Sequence, residues 1–355
     1  MIVFILAVLA VIGVIAMALS IANAYVNPKD FIWTTVFGLA FWEILIYNVV
    51  VFLLLLLMWS NKIWISVVAL LIAIPGISKS FSIGSKGKAD NSIRIMSYNV
   101  HDFRHVDGVM EKEQFANQVM AMVREQAPDI LCCQEFSQFK SGVSRPQCIE
   151  DFAKEAGFQY IYFNRKTNYG GNVIFSKYPL TKVAEDSGFG KGNTYGVMVS
   201  VDAGEKGKFH VANVHLLSYM ITDSEIDVLT NASERQNLDT IGKTVLHKLS
   251  FAFQKRSEEL QTVLNGMPPV GGPIIICGDF NEPPLSYNYR QMQKAGFVDT
   301  FTKVGFGIKP TYAGKLPLLR IDYVWANDGV KPLAFDRYKY KASDHYPIML
   351  DFAIQ

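Results

Sequence analysis

The chain has 355 residues, 50% of them hydrophobic and only 19% charged, and its 34 basic and 32 acidic side chains leave a net charge of +2. That balance excludes attachment to duplex DNA by bulk charge, although a local patch can still grip a nucleic acid. The four cysteines, Cys132, Cys133, Cys148 and Cys277, have neither metal-type spacing nor a disulfide framework, and the three in apolar runs read as buried reduced thiols.

The apolar content is concentrated at the N-terminus. Ile2 to Val26 carries no charged side chain and is long enough to cross a bilayer, which takes ~20 apolar residues. It lacks a basic n-region and two more apolar stretches follow it, so it reads as an anchor rather than a signal sequence. Phe31 to Trp59 is the second expected span, interrupted only by Glu43. Ile63 to Ile77 is the third, completed when Lys62 and Lys79 snorkel to the two interfaces. Trp33, Trp59 and Trp64 fall near the ends of these spans, where amphipathic rings prefer to sit. Glu43 has no ionisable partner inside the spans and reads as an acid near an interface or against another helix. Three crossings place the loop holding Lys29 on the same side as Lys79, Lys86 and Lys88, with Lys62 opposite. The positive-inside rule then points to a cytoplasmic catalytic region.

Residues 78–91 (SKSFSIGSKGKADN) are rich in Ser, Gly and Lys without periodicity, and read as a flexible linker between an anchor over 1–77 and a catalytic domain over 92–355. In that domain Ile93 to Val100 alternates as a strand delivering Asn99, and Lys112 to Gln126 has helical spacing through Phe115, Val119 and Met122. Asp129 to Gln134 is a short buried strand delivering Glu135, followed by a helix near Gln147 to Ala156 that stops at Gly157. Strands are expected at Phe158–Phe163, Asn172–Ser176, Tyr195–Val201 and Lys208–Val214, the last delivering His215. Between His215 and Pro268 the pattern turns helical, with an intermittent stripe of Leu238, Ile241, Val245, Leu249, Leu260 and Leu264. It suits one or two helices covering the sheets, or else a lid or a membrane-lying surface. Ile274–Cys277 delivers Asp279, Arg320–Trp325 holds Asp322, and Tyr346–Ala353 follows His345. So many strands with few intervening helices argue for two sheets packed face to face with helices outside.

Five strand ends therefore present acids, amides and imidazoles, the parts needed to hold a divalent cation and cut a phosphate ester. Mg²⁺, with Mn²⁺ as substitute, suits this set because it prefers octahedral oxygen ligation and is held by one or two carboxylates plus substrate phosphate. Glu135 is the natural anchor carboxylate, and Asn99 and Asp344 can add oxygen ligands directly or through water. His345 can be a general base or a phosphate contact once a strand carboxylate, Asp322, fixes its tautomer. Asp279 and Asn281, two residues apart across a turn, can respectively orient the attacking water and donate a hydrogen bond to developing charge. His215, near Asn213, can contact phosphate or assist the leaving group.

These residues sit in SYNV (Asn99), CQE (Glu135), GGNVIFS at 170–176, NVHL (His215), GDFN (Asp279, Asn281), RIDYV (Asp322) and SDHYP (Asp344, His345). In that order they resemble the endonuclease/exonuclease/phosphatase superfamily, which includes DNase I-like nucleases, apurinic endonucleases, neutral sphingomyelinases and inositol polyphosphate 5-phosphatases. The resemblance covers nearly all of Ser92 to Phe352. It implies an α/β fold, a four-layer αββα sandwich of DNase I type, here preceded by a transmembrane helical anchor, and metal-dependent hydrolysis of phosphoesters. It also implies Glu135 as principal metal ligand, a His345–Asp322 pair beside it, Asn281 and His215 on the scissile phosphate, and Asp279 on the water. His215 fits the DNase I-like and sphingomyelinase-like branches, whereas apurinic endonucleases tend to place Tyr in that part of the cleft. The expected substrate is nucleic acid, with a phospholipid or a small phosphorylated molecule as the alternative. A catalytically dead scaffold would lack at least one of these groups, and none is missing. The bilayer is the expected partner of the N-terminal helices, and no motif marks a protein partner.

Overall fold

The computed structural model describes the chain except residues 106–107, 164–170, 184–194, 220, 222–224, 226–237, 268–269, 316–317 and 341 and the side chains of 238–239. Gly170 and the side chain of Leu238, both singled out in the sequence, lie outside the described residues. The chain divides into two compact units. One comprises Met1–Phe81, Tyr219–Ser257 and Glu282–Met292; the other comprises Ser82–Ser218, Glu258–Asn281 and Gln293–Gln355.

The first unit is built on α1 (Ile2–Ala22), α2 (Trp33–Leu39), α3 (Phe41–Leu57) and α4 (Ile63–Ser80). Two of these, α1 and α4, are long and apolar enough to cross a membrane, and α2 with α3 makes a third candidate bent by 71°. The second span expected over Phe31–Trp59 is therefore not one straight helix: it breaks at Ala40, whose φ −86°, ψ 21° leaves the helical region. Glu43 falls in the first turn after this break, where the helix dipole favours an acid. The helices bury small side chains at alternating spacings of three and four. On α1 these are Ala10, Gly13 and Ser20, in series with Leu6 and Met17; on α4 they are Ser66, Ala69, Ala73, Gly76 and Ser80. Ile5, Val8, Ile12, Ile15, Leu71 and Ile74 point outward instead. Tyr47 of α3 donates its hydroxyl to Leu9 O at 2.9 Å, and Asn48 donates to Gly13 O at 3.2 Å, so polar groups face the helix contacts.

The second unit holds two six-stranded sheets. The first has the order β13-β14-β2-β3-β5-β4, from β2 (Ile93–Asn99), β3 (Ile130–Phe136), β4 (Tyr160–Phe163), β5 (Gly171–Ser176), β13 (Val330–Arg337) and β14 (Ile348–Ile354). The second has the order β10-β12-β9-β8-β7-β6, from β6 (Leu180–Lys182), β7 (Gly196–Asp202), β8 (Lys208–His215), β9 (Ile274–Asp279), β10 (Val298–Asp299) and β12 (Asp322–Ala326). Alternation decides which residues meet between the sheets: Ile93, Ile95, Ile130, Cys132 and Ile174 from one, Val199, Phe209, Val211, Ile275, Cys277 and Val324 from the other. Met96, Tyr98, Leu131, Cys133, Val173 and Phe175 point the opposite way, under α5 (Lys112–Gln126) and α6 (Arg145–Ala156). Ser144 caps α6 by accepting from Gln147 N, and Gly157 ends it in the left-handed conformation with φ 86°. The other face of the second sheet buries Met198, Ala212, Ile276, Tyr323 and Trp325, and the C-terminal part of the Leu238–Gly266 helix buries Leu260 and Val263. The domain is the four-layer αββα sandwich.

The segment read as a linker is ordered in part. Ser78–Ser80 finish α4, and Ser82–Ile83 form a short strand, β1, antiparallel to Phe306–Gly307, a strand labelled β11 in chain order. A Cβ at Gly84 would run into Lys303 O and the backbone of Val304, and Gly87 N donates to Leu333 O at 2.6 Å. Gly84, which read as flexibility, serves here for close backbone approach. The helical stretch after His215 includes one 29-residue helix, Leu238–Gly266, whose residues through Ser257 belong to the first unit.

One buried amide ties the two sheets. Asn213 of β8 donates to Cys133 O at 2.8 Å and Val173 O at 3.0 Å, and accepts from Gln134 Nε2 at 2.6 Å. Asn213→Leu would take the side-chain donor from Cys133 O and Val173 O and the shortest-bonded acceptor from the Gln134 amide in the core. We expect it to cost about 2–4 kcal/mol, measured by urea unfolding of the full chain in detergent; a loss below 0.5 kcal/mol (roughly the surface-mutation range) would rule out a structural role for the amide.

Candidate active site

Strand direction assembles the site. In the first sheet β2 and β3 are parallel neighbours, and in the second β8 and β9 are, so their C-terminal ends bring Asn99, Glu135, His215 and Asp279 to one edge of the sandwich. Because β12 runs antiparallel to β9, its first residue, Asp322, pairs in register with Asp279. His345 precedes β14, which is antiparallel to β2, so it arrives at the same edge.

Two backbone features aim the side chains. The β3–β5 register slips between Cys133 and Phe136, and within that irregularity Glu135 takes φ 52°. Asn281 also sits in the left-handed region, at φ 51°. Such conformations cost about 1–3 kcal/mol in a non-glycine residue and persist only where the surroundings impose them. Gly278, at φ 141°, has no substitute: a Cβ there would overlap Val214 O, so the strand carrying Asp279 could not lie against β8.

The side chains form one connected series. Asn99 Nδ2 donates to Glu135 Oε1 at 2.9 Å and to Asp279 Oδ2 at 3.1 Å. His215 Nε2 stands 3.5 Å from Glu135 Oε1 and 3.8 Å from Asp279 Oδ2. His345 Nε2 is 3.5 Å from Asp279 Oδ2, and its Nδ1 is 2.9 Å from Asp322 Oδ2. Asn281 N donates to Asp279 Oδ1 at 2.9 Å, and Asn281 Nδ2 donates to Leu216 O at 3.0 Å. Asp344 Oδ1 lies 3.2 Å from Ser343 Oγ and 3.7 Å from His101 Nδ1. All eight residues singled out in the sequence therefore lie at one edge. One is placed differently from expectation. Asn99 Oδ1 accepts from His101 N at 2.9 Å, so its NH₂ rather than its oxygen faces Glu135 and Asp279. Asn213, two residues before His215, uses its amide between the sheets.

Sequence reasoning missed four residues. His101 acts on Glu135 electrostatically and approaches Asp344. It begins a run, His101–Asp102–Phe103, in which all three residues are left-handed, at φ 48°, 52° and 56°. Ser343 Oγ donates to Asn99 O at 2.8 Å and accepts from His345 N, tying β2 to the histidine. Gln134 supports Asn213. The buried hydroxyl of Thr311 accepts from Ile321 N and Asp322 N at 2.9 and 3.0 Å, while its carbonyl accepts from Tyr346 N, so it braces Asp322 and His345 together. Ser343 and Gln134 lay inside recognised tripeptides and His101 two residues past Asn99; nothing in the sequence marked Thr311.

The electrostatics separate the carboxylates. Burial works against charge on Glu135, but His215, the Asn99 amide, His345 and His101 outweigh it and hold its pKa below the usual value. Burial pushes Asp279 up to about 6 against the pull of His345, with Asp322 adding to the rise. Burial also disfavours a charged His345, yet Asp322, Asp279 and Asp344 prevail and hold it well above the ordinary histidine range.

Among the described residues Asp279, Asp322 and His345 offer ligand atoms all within 4.8 Å of one another, but they are only 1%, 2% and 4% exposed. Glu135 and Asp344 keep 26% and 25% of their side chains exposed. Mg²⁺ retains several waters, for which the accessible carboxylates leave more room than the buried group does. The buried Nε2 of His215, without a hydrogen-bond partner among the described residues, faces the same side. The residues present fit a hydrated divalent ion and an anionic oxygen.

Residues 96–345 match the Endonuclease/Exonuclease/phosphatase family, and residues 2–80 match a family described as a domain of unknown function. The human Nocturnin catalytic domain with bound sulfate anion is 19% identical with a TM-score of 0.51, over 75% of this chain and 96% of that one. An endonuclease/exonuclease/phosphatase from Bacteroides vulgatus is 14% identical with a TM-score of 0.52, over 74% and 99% of the two chains. The 3′ phosphatase NExo from Neisseria bound to product DNA hairpin is 14% identical with a TM-score of 0.50, over 73% and 99%. No curated protein matches the chain. At these identities the structures share the fold, and the sequence match reaches from β2 through His345. The chain thus belongs to the Endonuclease/Exonuclease/phosphatase family, and its site is of the phosphoester-hydrolase type.

Proposed function

We propose that the protein is a membrane-anchored, divalent-metal-dependent phosphodiesterase with nuclease-like action. The observation that carries this is the unbroken series from Asn99 through Glu135, His215, Asp279 and His345 to Asp322, which joins acids and bases from both sheets at one edge. Glu135, charged at neutral pH, and Asp344 hold Mg²⁺ or Mn²⁺, with Asn99 fixing the Glu135 carboxylate through its NH₂. A cation bound there supplies Lewis-acid relief of charge on the phosphoryl oxygens. Asp279, poised near 6, takes a proton from the attacking water. His345, kept protonated by Asp322, acts as a cationic donor to a phosphoryl oxygen rather than as the base. His215 and the second N–H of Asn281 contact the phosphate.

Helices that bury small residues and expose Ile, Leu and Val reverse the pattern of a water-soluble bundle, which supports α1, α3 and α4 as an anchor in lipid. The lysine distribution favours a cytoplasmic catalytic domain. The same anchor supports a second reading, hydrolysis of a phospholipid or small phosphoester, since it holds the domain beside lipid phosphates.

Nicking of supercoiled plasmid by the full chain should require Mg²⁺ or Mn²⁺ and stop with chelator. His345→Ala and Asp279→Ala should each lower the rate about 10²–10⁴-fold, and Glu135→Gln should abolish metal binding in calorimetry. Unchanged metal-dependent turnover in either alanine variant would refute the assigned roles. Folded, metal-binding protein that leaves plasmid intact but cleaves vesicle phospholipid would select the second reading.

A native carboxyl raised to about 6 contributes stability that is present below its unfolded value and lost as pH rises through 6. In metal-free protein the Asp279→Asn variant should therefore gain on wild type by about 2 kcal/mol between pH 4 and 7, measured by denaturant unfolding at each pH. A difference independent of pH would show that Asp279 titrates normally.

A further inference from the structure

The active site leaves unused a short ribbon of the second unit. The register of β1 and β11 sets Ile83 directly opposite Phe306, and Ser82 opposite Gly307. Alternation puts each pair on one face, and the faces are inverted relative to a strand of a water-soluble sheet. Ser82 turns inward at 4% exposure, whereas Ile83 and Phe306 turn outward at 81% and 68%, with Ile308 exposed beside them. Single exposed apolar side chains are ordinary; two paired across a ribbon whose hydroxyl residue is buried mark a contact surface. The ribbon is seated on the sandwich. Gly84 lies against Lys303 O in the short helix Phe301–Val304, and Phe301 is buried with its ring centroid 5.5 Å from that of Phe335 on β13. Beyond the two ends of the ribbon, Lys86 and Lys309 both pair with Asp336 of β13, the outer strand of the first sheet. The ribbon thus lies beside the outer strand rather than at the strand ends that carry Glu135 and Asp279.

Two observations identify the partner. The first is chain continuity: α4 ends at Ser80, and Phe81, exposed and in extended backbone, leads directly into β1. A chain advances at most about 3.6 Å per residue, so Ile83 is held within about 11 Å of Ser80. With α4 in a bilayer, that reach keeps Ile83 at or beside the headgroup layer. The second is charge. Lys86 and Lys309 share one acid, Asp336, and Lys303 is exposed with no carboxylate partner among the described residues. A second copy packed on the same face would oppose like charges, whereas the headgroup layer of an anionic bilayer accepts both the apolar pair and the cations. We propose that the β1–β11 ribbon inserts Ile83 and Phe306 into the lipid interface, with Lys86, Lys303 and Lys309 at the headgroups, and so docks the catalytic domain on the membrane. The inference rests on the reading of α1, α3 and α4 as an anchor. Docking by the ribbon confines the strand-end site to the membrane surface without covering it.

The four native cysteines are buried, so introduced ones can be labelled selectively. The test uses the full chain reconstituted in vesicles of phosphatidylcholine and phosphatidylglycerol. An environment-sensitive fluorophore is placed at Ile83→Cys, Phe306→Cys, Ile12→Cys or Glu150→Cys, and its quenching by lipids spin-labelled at set depths is measured. Labels at positions 83 and 306 should be quenched by shallow spin labels, the label on α1 at position 12 by deep ones, and the label on α6 at position 150 by neither. In the Phe306→Cys protein, Ile83→Ser should lower the ratio of docked to free domain about tenfold and Lys303→Gln about fivefold. Plasmid nicking in detergent should be unchanged in both, which controls for misfolding. Ribbon labels left unquenched while position 12 is quenched would refute the docking alone. An unquenched position 12 would refute the anchor, and the docking with it. A blue-shifted ribbon label out of reach of every spin label would place a protein, a second copy included, on this face instead. Ribbon quenching unmoved by Ile83→Ser would reduce it to proximity and overturn the docking as well.

Discussion

The amide of Asn213 crosses the interior of the sandwich to the backbone of β3 and β5 and to Gln134, and the active edge depends on that crossing. Hydrophobic packing between sheets is weakly directional; Ile, Val and Cys side chains tolerate small slides. A buried amide with partners on the opposite sheet does not, because any slide leaves donors and acceptors unsatisfied. The bonds fall at Cys133 and Gln134, immediately before Glu135, and at Asn213, two residues before His215. The distance between Glu135 and His215, on different sheets, is thus set by hydrogen bonds just beneath them.

Strain above this floor has an identifiable counterweight. Glu135, Asn281 and the run His101–Phe103 hold left-handed backbone that each non-glycine residue resists by about 1–2 kcal/mol. Phe103 is fully buried, with its ring centroid 4.8 Å from that of Phe136 and 5.0 Å from that of Phe139, and Ser137 Oγ bonds Asp102 O at 2.9 Å. Aromatic burial on one side of the strand end therefore supports an unfavourable turn on the other, and the turn is what brings His101 toward Asp344.

Much of this was legible in the sequence because it obeys local rules. Nine strands were visible from alternation or apolar runs, and residues closing several of them marked the site, since a polar residue ending an apolar strand has few structural reasons to be there. What escaped depends on tertiary geometry. The β13 strand, Val330–Arg337, carries a register shift between Pro332 and Ala334 that disguises its period. Gly84 looked like flexibility and instead permits close packing. Thr311 reads as an ordinary loop residue until two strand amides converge on its hydroxyl. The orientation of Asn99 could not be read either, because it is decided by the peptide N–H of His101, which can only donate.

The break at Ala40 bears on how the proposed anchor crosses. If α2 and α3 spanned together as one bent element, Trp33–Leu39 would lie in hydrocarbon with its end groups exposed at the kink, a costly arrangement in lipid. Gly38 of α2 instead approaches Asn23, just after α1, while Val51 and Leu55 of α3 pack with Leu6 and Ala10 near the start of α1. So α3 returns antiparallel to α1, and its 17 residues, about 25 Å long, come close to the hydrocarbon thickness by themselves. The bent α2 then remains at the α1 C-terminal end, the level at which Tyr25, Arg290, Tyr289 and Lys79 stack. That stack also joins the ends of α1 and α4 on one side, which is the arrangement the proposed three-crossing anchor needs.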